Sequence, residues 1–255
     1  MIQQLFQDPL VNDLVLLGAG FLFVVLVIGL SMIFKKADMI SGHTARKIVH
    51  LLCGFAVFIV PFLYIPHLAL IISGTFLIVL RLSSPKTTVF QMMGEKNEAE
   101  AGYLAGPFSY ALAINILVVI FGFMPHFFFF PAACIMVMMI SDTAASFFGR
   151  RYGKHKINFS WTNTVRSVEG CMAMFITAFG LSLFAFFFFG NWFPNNHHTM
   201  SLQWIFILSG LVAGVSTIIE VVSPSNLDDL IVPIAGCFLS FLLTVALFPG
   251  SIGLI

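Results

Sequence analysis

Long runs of apolar residues, separated by short polar segments, dominate the chain. A helix needs about 20 mainly apolar residues to cross the roughly 30 Å hydrocarbon layer of a bilayer. The runs predict helices at 14–34, 48–64, 68–80, 104–124, 127–148, 168–189, 202–222 and 230–248. The third run has 13 residues and could be a tilted or re-entrant helix. The expected fold is therefore an all-α, polytopic integral membrane helical bundle with seven or eight transmembrane helices.

The composition agrees with this pattern, since 59% of the residues are hydrophobic and only 9% are charged. Soluble domains carry about 25% charged residues. Because no repeat or long hydrophilic segment interrupts the pattern, we expect one membrane-embedded domain, residues 1–255. We interpret the phenylalanine runs at 127–130 and 186–189 as lipid-facing. The net charge of +1 gives no general attraction to nucleic acid, and none is expected as a partner.

The few charged residues are distributed unequally between the two sides of the predicted bundle. If all eight helices cross, the 12 Lys and Arg residues and nine of the 11 acidic residues fall on one side. The positive-inside rule places that side in the cytosol and both termini outside. We therefore expect a multi-pass protein whose functional site lies on the cytosolic face.

Five acidic residues lie inside predicted helices or at their ends, all at the cytosolic level: Asp142, Glu169, Glu220, Asp228 and Asp229. A charge there costs a few kcal/mol unless it is paired or binds a metal. Asp142 is the only charge in its predicted helix. Carboxylates near cations favour Mg²⁺ and a polyphosphate as ligands, although a single acid at a helix end is more often a solvated cap than a ligand.

Small residues recur every four positions after this aspartate, at Ala145, Gly149 and Gly153, and so share one face of a helix. Close helix packing in the membrane explains the pattern equally well as backbone approach to phosphate groups. The nearby cations that could neutralise phosphate are Arg150, Arg151, Lys154 and Lys156.

A second polar cluster stands at the start of the second predicted helix. Arg46 and His50 are four residues apart and share a helical face, and Lys47 lies beside them. Contact with a substrate and an ordinary interfacial histidine are both open interpretations.

The residues Asp142, Ala145, Gly149 and Gly153, followed by Glu169 and Gly170, match a family signature. The pattern D-x-x-A-x-x-x-G-x-x-x-G, then K-K-T-x-E-G-x-x-A, resembles that of the CTP-dependent polyprenol kinases. This family includes dolichol kinase, phytol kinase and a yeast-type diacylglycerol kinase. The chain differs from the dolichol kinase pattern in a spacer that is longer by about three residues. Its K-K-T position reads Val165-Arg166-Ser167, so only Arg166 keeps a cation.

Three further segments extend the resemblance from Arg46 to Pro233. The family's R-K-x-x-H-x-x-x-G is similar to Arg46, Lys47, His50 and Gly54. The phytol kinase type's G-E-L-x-x-G-P-L-x-Y is similar to the segment with Glu100, Gly106, Pro107 and Tyr110. Its E-x-x-x-P and D-N-L-T-V-P are similar to the segments with Glu220, Asp228, Asp229 and Pro233.

The resemblance implies transfer of the γ-phosphate of CTP, or another nucleoside triphosphate, to the hydroxyl of a lipid alcohol. Mg²⁺ would be held by Asp142 with Asp228 or Asp229. Glu169 would bind the metal through water or orient Arg166, and a carboxylate or His50 would act as general base. The triphosphate would be bound by Arg150, Arg151, Lys154, Lys156 and Arg166.

The acceptor expected from the resemblance is phytol, geranylgeraniol or farnesol rather than dolichol, with diacylglycerol still possible. The other partners would be membrane lipids.

Two alternatives to a kinase remain. A cytidylyltransferase that makes a CDP-lipid would carry an Arg-Asp dipeptide, which none of the five arginines forms. A transporter would need ionisable residues near the bilayer midplane, whereas the outer halves of the predicted helices are almost wholly apolar.

Overall fold

The structure is a computed structural model that describes residues 6–94, 102–162, 165–192, 200–224 and 227–253, without the side chains of His43 and Met93. The chain divides into two compact units. We call Gln4–Val119 the N-terminal unit and Ile120–Ile255 the C-terminal unit. The prediction of a single domain stays a prediction.

All secondary-structure elements in the described part of the N-terminal unit are helical. Its α-helices are α1 (Pro9–Lys36), α2 (Gly42–Cys53), α3 (Leu70–Leu82), α4 (Thr88–Met93) and α5 (Ala105–Phe121), which leads into the C-terminal unit. Two 3₁₀ segments, Gly54–Phe62 and Pro66–Ala69, connect α2 to α3. Helix α1 begins where the Asp8 side chain accepts hydrogen bonds from two backbone N–H groups of the first turn, with proline next to the cap.

A buried carboxylate fixes the turn between the two 3₁₀ segments. The backbone N–H groups of Tyr64 and Ile65 donate to the two oxygens of Asp13, at 2.8 and 3.0 Å. The Asn12 amide donates to Asp13 and to the carbonyl oxygen of Phe62. Since a buried charge is tolerated only with such partners, the role of Asp13 in the structure is to hold this turn.

The described part of the C-terminal unit contains helices of up to 24 residues and one small hairpin. Its elements are α6 (Phe129–Met136), a π-turn (Val137–Ser141), α7 (Asp142–Tyr152), β1 (Lys156–Asn158), β2 (Val165–Ser167), α8 (Val168–Asn191), α9 (Leu202–Val222) and α10 (Asp228–Leu247). The 3₁₀ segments Pro125–Phe127 and Pro249–Ile252 flank them. The strands pair antiparallel, with Ile157 opposite Arg166. Helix α8 packs against α6, α7 and α9, and α10 packs against α6 and α9.

The phenylalanine runs correct one prediction, because much of their surface lies inside the protein. Phe127–Phe130 are all buried, and Phe130 has no exposed surface. The ring centroids of Phe130 lie 5.2 Å from Phe186 and 5.4 Å from Phe241. Of the second run, Phe186 and Phe189 are buried, and Phe187 is exposed. Neighbouring residues on a helix point in different directions, so composition alone misassigned the runs to lipid.

The membrane-bundle prediction is confirmed. Among the described residues, six helical segments are long and apolar enough to cross a bilayer: Pro9–Lys36, Thr44–Phe62, Phe129–Tyr152, Val168–Asn191, Leu202–Val222 and Asp228–Leu247. Two shorter apolar helices, Pro66–Leu82 and Ala105–Phe121, correspond to the third and fourth predicted runs. The segment Phe129–Tyr152 ends four residues later than predicted, so Asp142 lies about 15 Å from its end.

Candidate active site

A cleft of about 500 Å³ opens in the C-terminal unit, among α7, the hairpin and one end of each of α8, α9 and α10. This volume lies in the range typical of small-molecule sites. The cleft combines three acidic and three basic side chains, namely Asp142, Glu220, Asp228, Arg150, Lys156 and Arg166. We call this site the charged cleft. It concentrates six of the chain's 23 charged residues in one cavity.

A π-turn directly precedes Asp142. The backbone N–H of Asp142 donates to the carbonyl oxygen of Val137, five residues earlier. One turn of this kind adds a residue to the helical repeat, so the residues after it present a different face from that of an uninterrupted α-helix. Asp142, Ala145 and Gly149 then share the face of α7 that lines the cleft.

Glycines allow α7 and α8 to approach closely beside the cleft. A Cβ atom at Gly170 would lie 2.9 Å from the carbonyl oxygen of Ala145 and 3.2 Å from Cα of Gly149. A Cβ atom at Gly153 would lie 2.6 Å from Oγ of Ser167. Close packing therefore explains why small residues stand here, and two of these glycines, Gly149 and Gly170, also line the cleft.

Ser167 begins α8 and ends the hairpin. Its hydroxyl oxygen accepts the backbone N–H of Gly170 at 3.1 Å, which makes it the N-cap of the helix. The residue before it, Arg166, lies on β2 and points into the charged cleft. The cap thus sets the position of the preceding arginine relative to α8.

Arg166 forms the central ion pair of the cleft. Its Nε and Nη2 atoms both lie 3.1 Å from Oε1 of Glu220, and Nη2 lies 4.0 Å from Oδ2 of Asp228. The side chains of Arg166 and Glu220 are only 13% and 11% exposed. Because an unpaired charge at this depth would cost several kcal/mol, each side chain makes the burial of the other tolerable.

The other two cations of the cleft come from α7 and β1. Arg150 donates through Nε to the carbonyl oxygen of Ser146 at 3.1 Å and through its guanidinium to the Ser146 hydroxyl. This holds the guanidinium beside the cleft wall, and Lys156 lines the same cavity from β1. An anionic ligand in the cleft would therefore meet cations from α7, β1 and β2.

Glu169, one of the predicted catalytic residues, bonds to the loop that follows α7. Its carboxylate lies 2.8 Å from Nδ1 of His155 and accepts the backbone N–H of His155 at 3.3 Å. His155 also accepts the N–H of Val168 through its carbonyl oxygen, at 2.9 Å. In the structure, Glu169 therefore binds His155 at the base of the hairpin. The acid nearest to Arg166 is Glu220.

Several other predicted residues lie beside the charged cleft without lining it in the described structure. The guanidinium of Arg151 lies over the ring of Tyr152, and Lys154 is exposed. The backbone N–H of Asp229 donates to the side chain of Asp228, which is the member of that acidic pair facing the cleft. Pro233 is buried within α10.

The remaining predicted residues belong to the N-terminal unit. Arg46, Lys47 and His50 lie on α2, and Gly106, Pro107 and Tyr110 lie on α5. The rings of His50 and Tyr110 are 4.3 Å apart, so the structure joins two motifs that are 60 residues apart in sequence. Glu100 lies outside the described residues.

Sequence reasoning missed some residues that line the cleft: Ser146, Val165, Ser167, Cys171 and Met174. Ser146 could have been found, because it follows Asp142 by four residues and therefore shares its helical face. Cys171 and Met174 could not be predicted as cleft residues, since most positions on a membrane helix carry apolar side chains.

The carboxylates of the charged cleft are of the type that Mg²⁺ binds. Within the described ranges, no group of three His, Cys, Asp or Glu side chains is arranged to hold a metal ion by itself. Mg²⁺ usually takes one or two carboxylates together with substrate phosphate oxygens. Asp142 and Asp228 could supply those carboxylates, since both line the cleft and Glu220 is the nearer partner of Arg166.

Comparison with known proteins supports the family resemblance. The chain is similar to the phytol kinase of Synechocystis sp., with 26% identity over 82% of this chain and 83% of that protein. It is 28% identical to Probable phytol kinase 1, chloroplastic, of Oryza sativa subsp. japonica, over 80% of this chain and 66% of that protein. It is 24% identical to the dolichol kinase of Saccharomyces cerevisiae, over 76% of this chain and 37% of that protein.

These similarities confirm the resemblance to polyprenol kinases that the motifs indicated. No family model matches the chain. No solved structure matches it.

Proposed function

We propose that the protein is an integral-membrane kinase that transfers the γ-phosphate of CTP to the hydroxyl of a polyprenol-type alcohol at the cytosolic membrane face. The observation that carries the proposal is the charged cleft. The signature residues Asp142, Gly149, Arg166 and Gly170 all line it, although 28 residues separate the first from the last. Similarity to phytol and dolichol kinases supports the choice of acceptor class.

The chemistry needs positioning and charge neutralisation more than covalent participation by the protein. The alcohol oxygen bonds to the γ-phosphorus, the bond to the bridging oxygen breaks, and CDP and the hydroxyl proton are released. Arg150, Lys156 and Arg166 would neutralise the triphosphate, and Asp142 with Asp228 would hold Mg²⁺, which supplies further charge neutralisation when bound.

The location of the cleft relative to the helices suits such a reaction. Asp228 opens one membrane helix, and Glu220 lies two residues before the end of another. A lipid alcohol keeps its tail in the bilayer and presents its hydroxyl near the interface, whereas the nucleotide arrives from water. The proposed site would lie where these two phases meet, and the positive-inside rule predicts that this boundary faces the cytosol.

The proposal is tested with purified protein, Mg²⁺ and CTP labelled at either the α- or the γ-phosphate. Phytol, geranylgeraniol, farnesol, dolichol and diacylglycerol serve as alcohol acceptors, and their monophosphates serve as the alternative acceptors. We expect label from the γ-position on an isoprenoid alcohol. Label from the α-position on a lipid phosphate would show a cytidylyltransferase instead, and the absence of transfer from both positions would contradict lipid-directed catalysis.

A further inference from the structure

The hairpin that carries Arg166 is too small to hold its own position. Its strands have three residues each, and an isolated two-stranded hairpin is at best marginally stable in water. Yet two of the cations of the charged cleft, Lys156 and Arg166, stand on these strands. Contacts outside the hairpin must therefore determine where the cations lie.

The base of the hairpin is fixed to α8. Glu169 binds the backbone and ring of His155, and Ser167 caps the helix. These contacts fix the residues next to the helix. The part of the hairpin that follows β1 therefore needs a further contact.

The far part of the hairpin is fixed to α9 by an indole. Nε1 of Trp161 donates to the carbonyl oxygen of Val222 at 3.2 Å. Val222 is the last residue of α9, and the last carbonyl groups of a helix have no partner within it. The ring of Phe159 stacks on Trp161, with centroids 4.8 Å apart and an interplanar angle of 21°, and so orients the indole.

The same helix end receives the guanidinium of Arg166. Glu220, its ion-pair partner, precedes Val222 by two residues. Among its described residues, the hairpin is therefore joined to the end of α9 at two points, one through Trp161 and one through Arg166. A shift at the first point would move the arginine at the second.

We propose that Trp161 is a positioning residue for the nucleotide site, because its indole N–H holds the hairpin on α9 and thereby fixes Arg166 and Lys156 on the cleft wall. This inference rests on the proposed function, since it takes the charged cleft as the site of the triphosphate. Trp161 does not line the cleft in the described structure, so its effect on the nucleotide passes through these two cations.

The first test is Trp161→Phe, which keeps an aromatic ring and removes the hydrogen-bond donor. We expect KM for CTP to rise about three- to tenfold, the effect of one hydrogen bond, with kcat and the KM for the lipid alcohol changed less than about twofold. The matched control is Trp204→Phe at the other end of α9, where the indole ring packs on Phe248. We expect wild-type kinetic constants from that control.

The second test does not depend on catalysis. The melting temperature is measured for Trp161→Phe, Glu220→Gln and the double variant in the same detergent. If both residues hold the hairpin on α9, loss of either contact already weakens the other. The melting temperature of the double variant should therefore fall by less than the sum of the two single decreases. Additive shifts, or an unchanged KM for CTP in Trp161→Phe, would overturn the inference and favour a simple interfacial anchor.

Phe159→Leu provides a second variant if Trp161→Phe does not fold. It should raise KM for CTP in the same direction by about twofold, since it keeps the N–H and removes only the stacked ring. An unchanged KM would count against the inference. Failure of the proposed function is recognised separately, because the wild-type protein would then not transfer the γ-phosphate of CTP to an alcohol.

Discussion

The two ends of the C-terminal unit are held together by different kinds of contact. At one end, which we call the cleft end, α8 carries Glu169 and Gly170 in its first turn, and α9 ends near Glu220. At the other, the aromatic end, α6 begins with Phe129 and Phe130, and α8 ends near Phe186. The same helices thus connect a charged cavity to a cluster of aromatic rings.

The difference shows which contacts need a defined geometry. The aromatic end is held by burial and ring packing, which have little directionality. The cleft end depends on glycine contacts near 3 Å and on the ion pair of Arg166 with Glu220, where a displacement of one ångström removes the interaction. Substitutions at the cleft end should therefore change function, whereas those at the aromatic end should change stability.

The largest expected effect is on turnover. Asp142→Asn keeps the shape of the side chain and removes the charge proposed to hold Mg²⁺. We expect kcat/KM to fall about 1,000-fold, which corresponds to about 4 kcal/mol, while the melting temperature stays close to that of the wild type. Transfer of γ-labelled phosphate to the lipid alcohol measures this.

Asp229→Asn is the matched control, because Asp229 stands beside Asp228 at the start of α10 but outside the cleft lining in the described structure. It should lose less than about tenfold in kcat/KM. If Asp229→Asn instead lost most of its kcat/KM and Asp142→Asn kept nearly all of it, the metal would have to be assigned to Asp229.

At the aromatic end, Phe130→Ala should act on stability alone. Phe130 has no exposed surface, and its removal should lower the free energy of unfolding by about 3–5 kcal/mol. Phe187, which is 40% exposed, is the matched control, and its substitution by alanine should cost far less. Thermal unfolding measures both, and the KM for CTP of folded Phe130→Ala should equal that of the wild type. A changed KM would show that the two ends are coupled.

The smallest expected effect distinguishes two glycines of α8. Gly170→Ala would bring a methyl group to 2.9 Å from the carbonyl oxygen of Ala145, and should destabilise the protein by about 1–3 kcal/mol as α7 moves away. At Gly180 a Cβ atom meets nothing within 4 Å, so Gly180→Ala should be neutral or stabilise by up to about 1 kcal/mol. Equal melting temperatures for the two variants would contradict the packing role of Gly170.

Part of the candidate site could be predicted from the amino-acid sequence. Asp142, Gly149 and Gly170 are recognisable because each is unusual for a membrane helix or matches a signature. Arg166 and Glu220 were also predicted, but their ion pair was not, since 54 residues separate them. Residue type indicates that a buried charge needs a partner, whereas only the packing of helices selects which partner it receives.

The hairpin, a whole structural element, could not be predicted from the sequence either. Its strands are too short for a periodic pattern to reveal them, and Trp161 carries no motif. The misassigned phenylalanine runs had the opposite problem, because a run of identical apolar residues has no polar face to indicate which side is buried.

The sequence by itself determined that this protein is a helical membrane bundle, since the length and polarity of its apolar runs depend only on local composition. It also placed the chemically important residues at one level of the predicted bundle. Tertiary structure alone decided that a π-turn precedes Asp142, that Glu220 rather than Glu169 pairs with Arg166, and that Trp161 meets the end of α9. These features depend on distances between segments far apart in the chain, which are set by how the helices pack.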